Sequence, residues 1–159
     1  MSQNPPSTRR INGAKFRIGV VAARFNEVLV DGLLERVLAG LRAAGVKAGR
    51  IQVIRVPGSH EVPWASGRLA ATRRLDCVVA LGVLIGGDTN HHEMVGQSVS
   101  QALQRVALDT GIPVINGVIV TATAAQARIR CIGRINRGAE FASAALAMAE
   151  LGTTLKGKS

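Results

Sequence analysis

Four short runs of apolar, largely β-branched residues recur along the chain. They occupy residues 16–22, 51–56, 77–83 and 113–120. Each run has the length and composition of a β-strand. The two most continuously apolar runs, near 18–22 and 77–83, are expected at the centre of a sheet, because a strand that is covered on both faces exposes no polar side.

Between these runs the apolar residues recur at helical spacing. Over residues 29–41 they form a stripe with a repeat of three to four residues, which ends at Gly45. The same spacing is looser over residues 62–75 and 94–108, and residues 139–151 form an alanine-rich helical segment. The pattern therefore predicts a strict alternation of strands and helices.

Strands that alternate with helices of this length pair in parallel through right-handed crossovers. The sequence predicts a three-layer α/β/α sandwich in which a four-stranded parallel sheet lies between two layers of helices. We expect a single domain over residues 14–152, flanked by mobile tails at residues 1–13 and 153–159.

Composition narrows the class of protein further. The chain has 159 residues, of which 47% are hydrophobic, enough for one globular domain with its own core. It contains no apolar run of about 18 residues and begins without the apolar stretch of a secretory signal, so a cytoplasmic location is expected. Cys77 and Cys131 lack any CxxC spacing, and neither a disulfide framework nor a zinc site is expected.

The net charge of +10 raises the question whether the chain is a nucleic-acid-binding protein. The whole excess lies in residues 1–17, 128–137 and 152–159, which contain no acidic residue, and two of these segments are chain ends where solvated charge is common. Only the cluster at 128–137 is internal, and it could face an anion. A nucleic-acid-binding module would interleave aromatic and basic residues, whereas this cluster has no aromatic residue and the chain has no tyrosine, so this class ranks below an enzyme.

Ligands of parallel α/β sheets bind beyond the carboxyl ends of the strands. The candidate loops are therefore residues 23–26, 57–61, 85–92 and 121–123. In the third loop, a glycine pair precedes Asp88-Thr89-Asn90 and a helix start, an arrangement that offers backbone N–H groups and a positive dipole end to a phosphate or carboxylate. A tight turn with Asp88 or Asn90 as the N-cap explains the same residues equally well.

Two adjacent histidines follow this loop. The positive end of a helix disfavours an imidazolium, which leaves a neutral ring available to move protons near neutral pH. Because neighbouring helical residues point about 100° apart, His91 and His92 are not expected to serve one site together. A metal site that joins either histidine to His60 and to Glu61 or Glu93 lacks the HxxxH spacing, and we expect no metal.

The first two loops carry further candidates. Phe25 directly follows a strand and is a candidate stacking surface for a flat ring, or alternatively packs on the next helix. Glu61 near a helix start could stabilise the helix dipole or accept hydrogen bonds from ligand hydroxyls. The position of Trp64 is compatible with the core or with a subunit contact.

Read in order, these loops resemble those of the 6,7-dimethyl-8-ribityllumazine synthase family. The matching segments are residues 24–26, 56–63, 80–91 and 110–117, followed by Gln126-Ala127 and Arg137-Gly138-Ala139-Glu140. The similarity extends over about residues 16–151, and four pieces in order make a specific signal.

The resemblance implies a flavodoxin-like fold and a transferase of riboflavin biosynthesis. The implied reaction condenses 5-amino-6-(D-ribitylamino)uracil with 3,4-dihydroxy-2-butanone 4-phosphate and releases inorganic phosphate. No cofactor is implied. The partners implied are further copies of the chain, in a pentamer or a multiple of it with active sites between subunits, and riboflavin synthase is a candidate partner. Neither a specific nucleic acid nor a membrane is expected.

The resemblance also assigns roles by position. Phe25 would stack on the pyrimidine, Ser59 and Glu61 would hold the ring and its ribityl chain, and His91 would transfer protons. The other substrate-binding positions are Val83, Leu84 and Ile85 on the pocket wall, Gly87, Asp88 and Thr89 at the phosphate, Asn116 and Arg130 from a neighbouring subunit, and Arg137 near the site. Arg128 is the alternative to Arg130.

Two positions depart from the family pattern. Many members have arginine in place of Gly86 and often an aromatic residue in place of Asn116, so contacts to the phosphate and the ring are expected to differ. A different function on the same fold also stays open, namely a flavin- or lumazine-binding paralogue or a riboflavin synthase of the archaeal type.

Overall fold

The computed structural model describes residues 10–156 and contains one parallel sheet. Its strands are β1 (Ile18–Ala23), β2 (Ile51–Val56), β3 (Cys77–Ile85) and β4 (Val114–Thr121). Their spatial order is β2-β1-β3-β4, with every neighbouring pair parallel. The two strands that were predicted to be central, β1 and β3, are central, and the order is that of flavodoxin-like sheets.

Five α-helices connect and flank these strands. They are α1 (Glu27–Ala43), α2 (Val62–Ala71), α3 (His91–Thr110), α4 (Ala124–Cys131) and α5 (Arg137–Lys156). Single 3-10 turns precede β2 and α2, at Ala48–Arg50 and Ser59–Glu61. The helical spacing predicts four of the five helices. It misses α4, because this helix is short and buries only Ala127 and Cys131.

The helices form two layers, as predicted for a three-layer sandwich. On one face α1, α4 and α5 pack around Leu33, Cys131 and Leu146, and on the other face α2 and α3 pack around Leu69 and Leu103. Alternate strand residues face the two layers, since successive side chains of a strand point to opposite sides. Within residues 10–156, no helix combines the length and apolar character needed to cross a bilayer.

The element ends differ from the predicted ones in two places that matter. β3 continues to Ile85, because it stays paired with β4 through Leu84 opposite Val120 and Ile85 opposite Thr121. This extension carries the chain directly to the third candidate loop.

At the C-terminal end, α5 continues to Lys156 and so includes residues 153–156 of the predicted tail. The hydroxyls of Thr153 and Thr154 donate hydrogen bonds to the carbonyl oxygens of Ala149 and Glu150, one turn earlier, at 3.0 Å each. The helical part of the chain is therefore longer than the spacing predicts. Residues 1–9 and 157–159 of the predicted tails lie outside the described residues.

Candidate active site

A cavity of about 410 Å³ lies beyond the carboxyl ends of β1, β2 and β3. Three of the four candidate loops contribute to its wall, in agreement with the position that parallel topology favours. The lining residues are Phe25, Asn26, Gly58, Ser59, His60, Glu61, Val83, Leu84, Ile85, Gly87, Thr89, His91, His92 and Val95. An apolar wall thus faces a limited set of polar groups, which is typical of small-molecule sites.

Backbone hydrogen bonds hold the first loop against the second. The N–H of Arg24 donates to the carbonyl oxygen of Val56 at 2.8 Å, and the N–H of Phe25 donates to that of Pro57 at 3.1 Å. The Phe25 side chain is 75% exposed and therefore does not pack on α1. Its ring instead contributes a flat apolar surface to the cavity wall.

The second loop brings a buried hydroxyl and a fixed carboxylate to the cavity. Ser59 is 4% exposed, and its Oγ has no hydrogen-bond partner among the described residues. Gly82 makes room for this side chain, since a Cβ at position 82 would lie 2.4 Å from the Oγ. Glu61 Oε2 accepts a hydrogen bond from the N–H of Gly58 at 2.9 Å. A buried hydroxyl without a partner is costly to the fold.

The third loop presents backbone donors at the start of α3. Asn90 precedes the helix, but its side chain makes no capping hydrogen bond, so the N-cap alternative is not realised through a side chain. The N–H of Gly86 donates to the carbonyl oxygen of Thr121 at 2.8 Å. The next N–H groups, from residue 87 to 92, have no acceptor within residues 10–156. This edge of the cavity suits an anion.

Both histidines at the start of α3 line the cavity. The two histidines are not expected to serve one site together, yet both reach its wall, because the cavity extends around the first turn of the helix. His91 is exposed, whereas His92 is partly buried and its Nδ1 has no hydrogen-bond partner among the described residues. Within residues 10–156, no three His, Cys, Asp or Glu side chains are grouped to hold a metal ion.

Four predicted substrate-binding residues do not line this cavity. Asn116 is exposed on the edge strand β4 and lines a separate groove against α3. Arg130 donates from its guanidinium to the carbonyl oxygen of Gln126 on its own helix, at 3.0 Å. Arg137 forms an ion pair with Glu140. Asp88 lies in the third loop but is likewise not on the wall.

Several lining residues carried no predicted role. Asn26, Gly58, His60, His92 and Val95 all reach the cavity. Four of them belong to the candidate loops or to the histidine pair, so their position in the sequence could have identified them as residues of the site. No feature of the sequence indicated Val95, because an apolar residue one turn into a helix is ordinarily a core residue.

The two thiols are remote from this chemistry. Burial raises the pKa of Cys77 to about 12 and that of Cys131 to about 11. Both cysteines are unpaired and neither lines the cavity. Trp64 is 73% exposed, which excludes the core as its location within the single chain.

The fold and the cavity together define a doubly wound α/β protein with a small-molecule site at the carboxyl edge of its sheet. The family model for 6,7-dimethyl-8-ribityllumazine synthase matches residues 15–153, and the chain belongs to this family.

Relatives that bear this enzyme name are similar over most of their length. The protein of Thermococcus gammatolerans is 41% identical over 87% of this chain and 89% of its own. That of Nitrosospira multiformis is 40% identical over 91% of this chain and 89% of its own. The relative from Polaromonas sp. is 39% identical, over 91% and 92% respectively.

Proposed function

We propose that this chain condenses 5-amino-6-(D-ribitylamino)uracil with 3,4-dihydroxy-2-butanone 4-phosphate to form 6,7-dimethyl-8-ribityllumazine, with release of phosphate and water. This is the penultimate step of riboflavin biosynthesis. The observation that carries the proposal is the family match over residues 15–153, together with relatives of about 40% identity that are named for this product.

The uracil substrate occupies the part of the cavity formed by the first two loops. Phe25 stacks on the flat ring, for which its exposed face is suited. The Ser59 hydroxyl and the Glu61 carboxylate hold the ring and the ribityl hydroxyls. Val83, Leu84 and Ile85 supply the apolar wall. The placement is supported by the position of Ser59 and Glu61 on the same wall of the cavity as Phe25.

The phosphate of the second substrate binds at Gly87, Asp88 and Thr89. The N–H groups of this loop lack acceptors, and the start of α3 adds its positive dipole end. Arg130 of a neighbouring subunit neutralises negative charge on the phosphate, with Arg128 as the alternative on the same helix. A separate source of positive charge is required here, since none of the cavity-lining residues within 10–156 is an arginine or lysine.

His91 transfers protons during the condensation. The attacking amine and the carbonyl are already reactive, so positioning of the two substrates supplies much of the rate enhancement. An exposed imidazole next to the phosphate loop can take a proton from one intermediate and return it to the next. The N–H groups that hold the phosphate also stabilise it as it leaves. The site needs no metal and no organic cofactor for these steps.

The site is shared between subunits of a pentamer or of a multiple of it. Asn116 and Arg130 lie outside their own chain's cavity and would border the neighbouring one. Large apolar side chains are exposed on the single chain, namely Phe25, Val28, Trp64, Met94 and Leu108, and such residues often mark subunit interfaces. The enzyme acts in the cytoplasm, with riboflavin synthase as a candidate partner that consumes its product.

A direct assay tests the function. The purified chain is mixed with the two substrates near neutral pH, and the lumazine chromophore and free phosphate are followed together. Equal amounts of both products are expected. A flavin- or lumazine-binding paralogue would instead bind riboflavin or lumazine without forming either product, and an archaeal-type riboflavin synthase would convert added lumazine into riboflavin.

Mixed assemblies test the shared site. H91Q and R130A subunits are each expected to be impaired alone, whereas co-expressed subunits recover part of the activity, because some interfaces then combine an intact His91 with an intact Arg130. The same pairing of H91Q with R128A is the matched comparison that decides between the two arginines. Absence of recovery in both mixtures would mean that neither arginine crosses the interface.

A further inference from the structure

All three histidines of the chain line the same cavity. His91 and His92 begin α3, whereas His60 lies in the 3-10 turn that follows β2. The proposed function employs His91 alone. His60 therefore reaches the site from a different loop and has no assigned role.

A fixed carboxylate accompanies His60. Glu61 Oε2 accepts the hydrogen bond from the N–H of Gly58, and Oε1 lies 3.9 Å from His60 Nδ1. A carboxylate beside Nδ1 favours the tautomer in which this nitrogen carries the proton and Nε2 is the acceptor. The distance exceeds that of a hydrogen bond, and contacts of this type often shorten once substrate is bound.

The surroundings of His60 leave few other titratable groups that can act with it. The 3-10 turn packs against α2, α3, β1 and β3. The charged or titratable side chains on these four elements and in the loops of residues 24–26 and 86–90 are Arg24, Arg68, Cys77, Asp88, His91, His92, Glu93, Arg105 and Asp109. Of these, only His91 and His92 line the cavity with His60 and Glu61. Proton transfer within the cavity therefore involves imidazoles and a single carboxylate.

We propose that His60 is a second proton-transfer residue, oriented by Glu61 and acting at the ribityl side of the substrate. This inference rests on the proposed function, in which Glu61 holds the ribityl chain. The nitrogen that carries this chain must bond to a carbonyl carbon when the second ring closes, and His60 is adjacent to the carboxylate that fixes the chain.

The proton that leaves the nitrogen in this step returns to the substrate within the site. The ribityl-bearing nitrogen forms a C–N bond to the remaining carbonyl carbon of the four-carbon unit, and its N–H bond breaks as Nε2 of His60 takes the proton. The electron pair of the C=O bond moves to oxygen. The imidazolium then returns the proton to this oxygen, which leaves a carbinolamine and a neutral imidazole. His91 is left to serve the part of the reaction next to the phosphate.

Two substitutions separate proton transfer from packing. H60F keeps a flat ring on the wall but cannot carry a proton. H60A leaves a space that imidazole from solution can enter, because the His60 side chain is 68% exposed. R68A is the control, since Arg68 lies on the adjoining helix α2 and does not line the cavity. The rate of lumazine formation is measured for each variant near neutral pH, with and without added imidazole.

We expect H60F to lower kcat about tenfold with little change in KM, a modest effect for a general base because positioning supplies the rest. Added imidazole should restore part of the H60A rate, and R68A should behave as the parent.

Parent-like kinetics in H60F would overturn the role of His60. A slower H60F together with no rescue of H60A by imidazole would assign His60 to structure alone and would also overturn it. Failure of the parent chain to form lumazine would instead reject the proposed function, so the two failures are distinguishable.

Discussion

The side-chain amide of Asn26 donates a hydrogen bond to the backbone carbonyl oxygen of Val83, with 2.8 Å between nitrogen and oxygen. This bond ties the loop after β1 to the end of β3, fifty-seven residues further along the chain. Asn26 also has a left-handed backbone, with φ at 57°. Phe25, the residue before it, is thereby held over the cavity rather than over α1.

Loss of this bond should weaken binding of the ring substrate. Glycine accepts the left-handed backbone, so N26G removes the hydrogen bond without straining the backbone, and we expect a loss of about 1 kcal/mol or somewhat more in the free energy of unfolding together with a raised KM for the uracil substrate. N26A adds backbone strain and should be less stable than N26G. Chemical denaturation and steady-state kinetics measure both effects; an N26G enzyme with the parent KM would contradict this account of Phe25.

His91 should matter for rate without being indispensable. H91Q is expected to lower kcat about a hundredfold, at the low end for a general acid-base residue, because the two held substrates react slowly even without it. H92Q on the same helical turn is the matched control and should retain most of the rate. The measurement is lumazine formation at saturating substrates, and an H91Q variant as fast as the parent would remove His91 from the mechanism.

The effects of substitutions at Gly82 and at Ser59 on the free energy of unfolding should depend on each other. A Cβ at position 82 would lie 2.4 Å from the Ser59 Oγ and 3.1 Å from its Cβ, so G82A should lower the free energy of unfolding by about 1–3 kcal/mol through overpacking. S59G removes both clashing atoms, and the double variant should recover part of this loss. A double-mutant cycle by denaturation measures the coupling; strictly additive effects would show that the two residues do not compete for space.

The two glycines of the third loop should respond differently to a methyl group. A Cβ at Gly86 would lie 2.6 Å from the carbonyl oxygen of Ala122, a backbone atom that cannot rotate away, whereas a Cβ at Gly87 meets no atom within 4 Å. We expect G86A to lose about 1–3 kcal/mol of stability and G87A to stay close to the parent. Thermal unfolding of the two variants compares them, and equal stability would contradict the close approach of Gly86 to the backbone of Ala122.

The thiols should be inert in the folded protein. Burial raises the pKa of Cys77 to about 12 and that of Cys131 to about 11, from an ordinary 9.0, so neither forms a thiolate near pH 8. A thiol reagent should label the chain only after denaturation. Because the folded pKa values are the higher ones, this contribution to stability is present below pH 9 and is lost as the pH rises through 11 to 12. Labelling of the native chain at the unfolded rate would contradict this.

Local pattern was sufficient for the architecture and for the loops that form the site. Four apolar runs with helical segments between them admit few arrangements other than a parallel sheet between helices, since parallel strands need crossovers and both faces of the sheet must be covered. The same rule identifies the carboxyl edge as the place for a ligand, which is why Phe25, Glu61 and His91 could be singled out before their distances were known. The short helix α4 was not predicted, because its two small buried residues, Ala127 and Cys131, are too few to give a recognisable helical repeat.

The sequence by itself determined the order of strands and helices and the loops that carry polar and aromatic groups. Only the tertiary structure decided which of those groups share a wall: that His60 and both histidines of α3 line one cavity, that Asn26 is anchored on Val83, and that Asn116 and Arg130 do not line it. Spacing along a chain specifies which face of one element a residue occupies. The distance between two elements depends on how their side chains pack, and packing involves residues far apart in sequence. Gly82, which leaves room for Ser59, is an example.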